Sequence, residues 1–106
     1  MSRGDDKIVG NVRDPEGTPV ILPERVWANK VLRDHPEMTS LAGAVLRTVA
    51  APDHVVPDPV RDNRKRYFRQ GAGPSRWLLV VVSYGQEPAR IVTAFGVRKD
   101  PRSWSK

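Results

Sequence analysis

Trp77 to Val97 constrains this chain more than any other stretch. From Trp77 to Tyr84 the sequence is apolar almost without interruption and rich in valine. An apolar run of that length reads as a strand buried on both faces. After the turn residues Gly85-Gln86-Glu87-Pro88, the run from Ile91 to Val97 is dense in β-formers and alternates more clearly. The two are expected to pair as an antiparallel hairpin. A hairpin alone does not hold together in water, so the rest of the 106 residues must supply its other layers. A chain of this length builds one modest core.

Residues 1–7 are polar and read as disordered, with no apolar run of the signal-peptide kind. Asp14-Pro15-Glu16-Gly17 places each residue where a tight turn favours it. Val9 and Val12 before the turn, and residues 20–22 after it, could form a short hairpin, residues 20–22 being the stronger strand. Residues 1–18 are thus read as a flexible segment or short hairpin, 19–99 as a single α+β domain, and 100–106 as a polar tail whose Trp104 either docks or hangs free.

Pro23 and Glu24 open a helix, with proline in the first turn and an acid at the positive end of the dipole. Ala28, Val31, Leu32 and His35 make its apolar stripe, flanked by Trp27. Pro36 ends it. Thr39 or Ser40 is suited to cap a second helix, with Leu41, Ala42, Val45, Leu46 and Val49 along one face and Pro52 closing it. Pro57 and Pro59 confine the strand-like residues 54–56 to a sheet edge. Arg64 to Gln70 is a charged, aromatic, alternating strand. The expected fold is α+β: a short N-terminal strand, two tandem helices, then a three- to four-stranded antiparallel sheet with one face covered and one free.

Charge is unevenly spread. Residues 1–51 hold seven Lys/Arg and seven Asp/Glu, whereas residues 52–106 hold eleven and five, so the second half carries the whole net charge of +6. A basic excess confined to predicted strands points to a polyanionic partner, nucleic acid first. Cysteine is absent, which rules out disulfides, thiolate zinc sites and thiol nucleophiles, and fits a cytoplasmic protein. No apolar run approaches the roughly 20 residues that span a bilayer, so no membrane partner is expected.

Several motifs in this order resemble a known family. The segment from Leu22 through Trp27 to His35-Pro36-Glu37, then Ala51-Pro52-Asp53, Arg66-Tyr67-Phe68-Arg69 and Val92-Thr93-Ala94-Phe95, resembles small phage and prophage proteins. These are grouped with the barnase, EndoU, colicin-type and RelE-like nucleases. The resemblance implies a metal-independent, cofactor-free ribonuclease fold of toxins and phage proteins, with its site on the open face of the sheet. It also places Thr93 in that site. One position departs: the family often carries a histidine after the helix tryptophan where this chain has Asn29, which cannot take a proton at neutral pH.

Metal-free RNA cleavage needs a base for the ribose 2′-hydroxyl, an acid for the leaving oxygen and cations for the phosphorus oxygens. His35, at a helix end before Pro36, is the better histidine for proton transfer, the alternative being a helix-end packing role. His54 reads as solvated. Alternation puts Lys65, Tyr67 and Arg69 on one strand face and Arg64, Arg66 and Phe68 on the other. The cations suit phosphate, and Tyr67 suits base stacking or proton exchange. On the last strand, periodicity groups Thr93 with a core-like face and favours Arg90 and Arg98 for the site; a twist or a bulge at Gly96 could reconcile the two. The expected function is a metal-independent endoribonuclease, with a non-catalytic RNA-binding or accessory protein as the alternative. A third class is an interaction module whose basic face meets an acidic inhibitor or antitoxin.

Overall fold

The structure is a computed structural model, and it describes residues 7–101. Residues 1–6, which hold most of the stretch expected to be disordered, and Trp104 of the tail lie outside the described residues. In chain order the elements are β1 (Ile8–Arg13), β2 (Pro19–Pro23), a helical run α1 (24–34), a 3₁₀ turn (Pro36–Met38), α2 (Ala42–Ala50), β3 (His54–Pro57), β4 (Arg64–Gln70), β5 (Trp77–Ser83) and β6 (Ala89–Val97). All strands join one six-stranded sheet in the order β1-β2-β6-β5-β4-β3.

This corrects the expected architecture. The domain is α+β, but a six-stranded sheet dominates it in place of three or four strands behind two tandem helices. Among the described residues only one helical run reaches 11 residues, and a π turn at Trp27–Val31 interrupts it. The N-terminal hairpin β1–β2 accounts for much of the difference. It extends the sheet beyond β6, with β2 running parallel to β6 through Val20 opposite Ala89 and Ile21 opposite Arg90. Gly17, at φ +88°, closes the β1–β2 turn in a left-handed conformation. Gly10 lets the α2 side chain Leu46 lie against β1, since a Cβ there would meet Leu46 Cδ1 at 2.5 Å.

Local chemistry explains the helices. The π turn moves the stripe: Trp27 and Val31 are buried while Ala28 is exposed, because one extra residue per turn rotates the following positions. Neither Thr39 nor Ser40 caps α2. Leu41 occupies the cap position, and the Thr39 hydroxyl donates instead to the Pro36 carbonyl at 2.7 Å.

Both faces of the sheet are packed. On the helix side, Val31, Val45 and Val49 meet Val20, Leu22, Tyr67, Leu78, Val80, Val82 and Ile91 in the main core. On the other side Phe68, Trp77, Leu79 and Val81 form a smaller buried cluster against Val56, Val92, Phe95 and Val97. The second face is therefore not the bare surface expected of it. Phe68 is fully buried, and all seven residues of β5 are buried, as its unbroken apolar run demands.

Candidate nucleic-acid interface

A β-bulge in β6 assembles the site. In the β5–β6 register Ser83 faces Arg90 and Val82 faces Ile91, but Val81 faces Thr93 and Val80 faces Ala94. Val92 is the extra residue, and it resets the alternation of the strand. Without it, Arg90 and Thr93 would point to opposite faces. With it they share one. The conflict between Thr93 and Arg90 is thus resolved at Val92, not at Gly96.

Residues directly opposite in an antiparallel pair share a face, so the registers define rows across the second face. Arg64, Ser83 and Arg90 make the first row, and Arg66, Val81 and Thr93 the second. His54, Phe68, Leu79 and Phe95 make the third. One end of this face is cationic and the other aromatic. His35 reaches it from the end of α1, its ring lying over Phe95 with centroids 5.0 Å apart and planes 17° from parallel. His35 Nδ1 lies 3.5 Å from Glu37 Oε2, so the carboxylate orients the ring and leaves Nε2 as the nitrogen for a ligand.

The cations differ in how committed they are. Arg66 Nε lies 3.5 Å from Asp58 Oδ2. The Val60 backbone N–H holds the Asp58 carboxyl below its ordinary range; burial opposes this, and the Arg61 N–H and Arg66 reinforce it. Asp58 therefore stays ionised and absorbs part of the Arg66 charge. Arg90 Nε is buried with no hydrogen-bond partner among the described residues, an arrangement that costs free energy until an acceptor arrives. Arg64 is half-buried in the same row. Arg98 lies past the far end of β6, where it lines a pocket with Ser75 and Arg76.

Three residues singled out from the sequence lie on the helix-covered face. Arg69 donates to the Ala51 carbonyl, which caps the C-terminal end of α2. Lys65 Nζ stands 5.2 Å from the centre of the Tyr84 ring. Tyr67, only 2% exposed, is hydrogen-bonded to the Tyr84 hydroxyl, with the oxygens 2.5 Å apart. Tyr84 in turn donates to Asp14 Oδ2 at 2.8 Å. A hydroxyl has one proton, so Tyr67 donates to Tyr84. Burial pushes the Tyr67 hydroxyl above the usual tyrosine range; the bond to Tyr84 opposes this and the Asp14 charge adds to it. Tyr67 is therefore a neutral core residue and does not face the arginines.

His54 packs at an angle against Trp77, with centroids 5.5 Å apart, so it is not merely solvated. It stands in the same row as Phe95, three strand spacings away. At about 4.8 Å per spacing that is about 14 Å, too far for His35 and His54 to serve one phosphodiester as base and acid. Asn29 is exposed on the π turn. Among the described residues no three His, Asp or Glu side chains gather in a way that could hold a metal ion. No helix there is long and apolar enough to cross a membrane.

Sequence reasoning did not single out Glu37, Asp58, Tyr84 or Asp14 as partners. Glu37 had a local signal, since a proline turn brings it back toward His35. The pairing of Asp14 with Tyr84 had none. The fold and face define an α+β domain whose sheet carries cations at one end and stacked aromatics at the other. No family model matches the chain, and neither a curated protein nor a solved structure is significantly similar to it.

Proposed function

We propose that the second face binds RNA and that the chain cleaves it as a metal-independent endoribonuclease. The observation that carries this reading is the Val92 bulge, which brings Arg90 and Thr93 onto the face of Arg64, Arg66 and His35. Arg64 and Arg90 supply the fork geometry that suits phosphate oxygens. His35, backed by Glu37, is the proton-transfer group. It takes the proton of a ribose 2′-hydroxyl, whose oxygen attacks the adjacent phosphorus. The bond to the 5′-oxygen breaks, that oxygen takes a proton from solvent, to which His35 gives up the one it gained, and a 2′,3′-cyclic phosphate is left. The arginines, about 13 Å along the strands from Phe95, hold neighbouring phosphates of the same RNA strand.

One observation favours a second reading, a non-catalytic RNA-binding module. Tyr67 lies on the opposite face, so it does not stand beside His35 as the second proton-transfer group, and Asn29 cannot take its place.

Incubating the protein with mixed RNA in the presence of a chelator tests the proposal. The expected result is cleavage with cyclic or 3′-phosphate ends, lowered roughly 10²–10⁴-fold by His35→Ala, with the melting temperature nearly unchanged. Activity that vanishes with EDTA and returns with magnesium would sink the metal-independent mechanism. RNA binding without cleavage would establish the second reading.

A further inference from the structure

The His35–Phe95 pair sits where a phosphate site needs a base site. Phe95 belongs to the apolar cluster of the second face and is only partly buried. His35 covers it nearly in parallel, at 5.0 Å between centroids, and keeps 33% of its side chain open to solvent. The residue is held from several sides. Its backbone N–H donates to the Val31 carbonyl at 2.7 Å, and its carbonyl accepts from the Met38 N–H at 2.9 Å. Glu37 fixes the ring edge. The result is a two-ring stack whose histidine is anchored through its backbone and partly open to solvent. A third flat ring can extend it at little cost in ordering.

Neighbouring rows on one face are two residues apart, about 7 Å. The Arg64–Ser83–Arg90 row lies two rows from Phe95, about 13 Å along the strands. A short extended oligonucleotide spans that gap with phosphates at the arginines and a base at His35. A duplex cannot, because its bases are stacked inside the helix, whereas unpaired bases are read on aromatic and histidine rings.

We infer that the ligand is single-stranded RNA, and that one unpaired base stacks on the exposed ring of His35 while its neighbours' phosphates meet Arg64 and Arg90. This rests on the RNA-binding reading above. It goes further by naming the strandedness of the RNA and the platform that selects it.

The test uses the full chain and a six-nucleotide 2′-O-methyl RNA, which lacks the hydroxyl needed for cleavage, so binding is read whether or not the chain is an enzyme. 2-Aminopurine replaces one base at a time, and a hairpin duplex of matched phosphate number serves as competitor. Fluorescence quenching is expected at one position, together with single-strand affinity about tenfold above that of the duplex at the same salt. Phe95→Leu and His35→Ala should each remove that preference, lowering single-strand affinity roughly 5- to 100-fold and leaving duplex affinity alone. Equal, salt-dependent binding of both RNAs by the wild-type protein, with no quenched position, overturns the inference and leaves the RNA-binding reading standing. Failure to bind either RNA overturns both. The wild-type quenching stands without any variant, so loss of folding in Phe95→Leu does not blunt the test.

Discussion

Replacing Tyr84 by phenylalanine should destabilise this domain more than the same change at Tyr67, although Tyr67 is the more buried of the two. Tyr84 is the middle of a chain: it accepts from Tyr67 and donates to Asp14. Asp14 also accepts from the Glu16 and Thr18 backbone N–H groups at 2.9 Å each. Tyr84→Phe leaves the Tyr67 hydroxyl buried without an acceptor and deprives an ionised carboxylate of one of its three donors. One orphaned buried hydroxyl and one lost bond to a charge amount to about 2–4 kcal/mol. Tyr67→Phe leaves the Tyr84–Asp14 bond intact and should cost about 0.5–1.5 kcal/mol. The double change should cost less than the sum, because no hydroxyl is then left orphaned.

Urea unfolding followed by tryptophan fluorescence measures all three. If Tyr67→Phe costs as much as Tyr84→Phe, or if Tyr84→Phe costs under about 0.5 kcal/mol, the network does not lock the β1–β2 turn to the end of β5 as argued. Acid provides a second check. Burial alone would raise the Asp14 carboxyl, but the Thr18 N–H, Tyr84 and the Glu16 N–H outweigh it and hold the group below its ordinary 3.8. A depressed folded value means that the stabilisation is complete above about pH 4 and is lost as the pH falls through the folded value. Asp14→Asn should therefore lower stability at neutral pH and flatten its fall in acid.

Two further outcomes are expected. Arg90→Glu should weaken RNA binding and flatten its salt dependence, with log K losing about 0.7 of slope per phosphate contact removed on a single strand. Arg47→Glu, exposed on α2 across the sheet, should leave that slope alone; equal effects would mean the arginine row has no special role. Arg69→Ala should lower the melting temperature through loss of the α2 cap, at about 1 kcal/mol, with the salt slope unchanged. A changed slope without destabilisation would return Arg69 to the interface.

What the sequence by itself determined is what short-range physics encodes. The apolar run of β5 spelled out a strand buried on both faces, and the Asp14-Pro15-Glu16-Gly17 turn could be read from turn chemistry alone. Pro57 held β3 to an edge, and the alternation of Arg64 to Gln70 correctly separated Lys65, Tyr67 and Arg69 from Arg64, Arg66 and Phe68. Each of these depends on neighbours a few residues away. The burial of β5 on both sides also argued against a bare sheet face, a consequence the expected open-faced architecture missed.

Tertiary structure decided the rest. β2 pairs in parallel with β6, almost seventy positions later in the chain, and no local pattern announces a partner at that distance. The extra residue at Val92 is invisible to a period-two reading because only the register against β5 creates it. Tyr67 carried the same local signal as its charged neighbours, yet its hydroxyl found Tyr84 and through it Asp14. Which face becomes a site and which becomes core depends on where α1 and α2 come to rest. That is settled by the sum of all contacts, because a strand's alternation defines two faces without saying what will cover either.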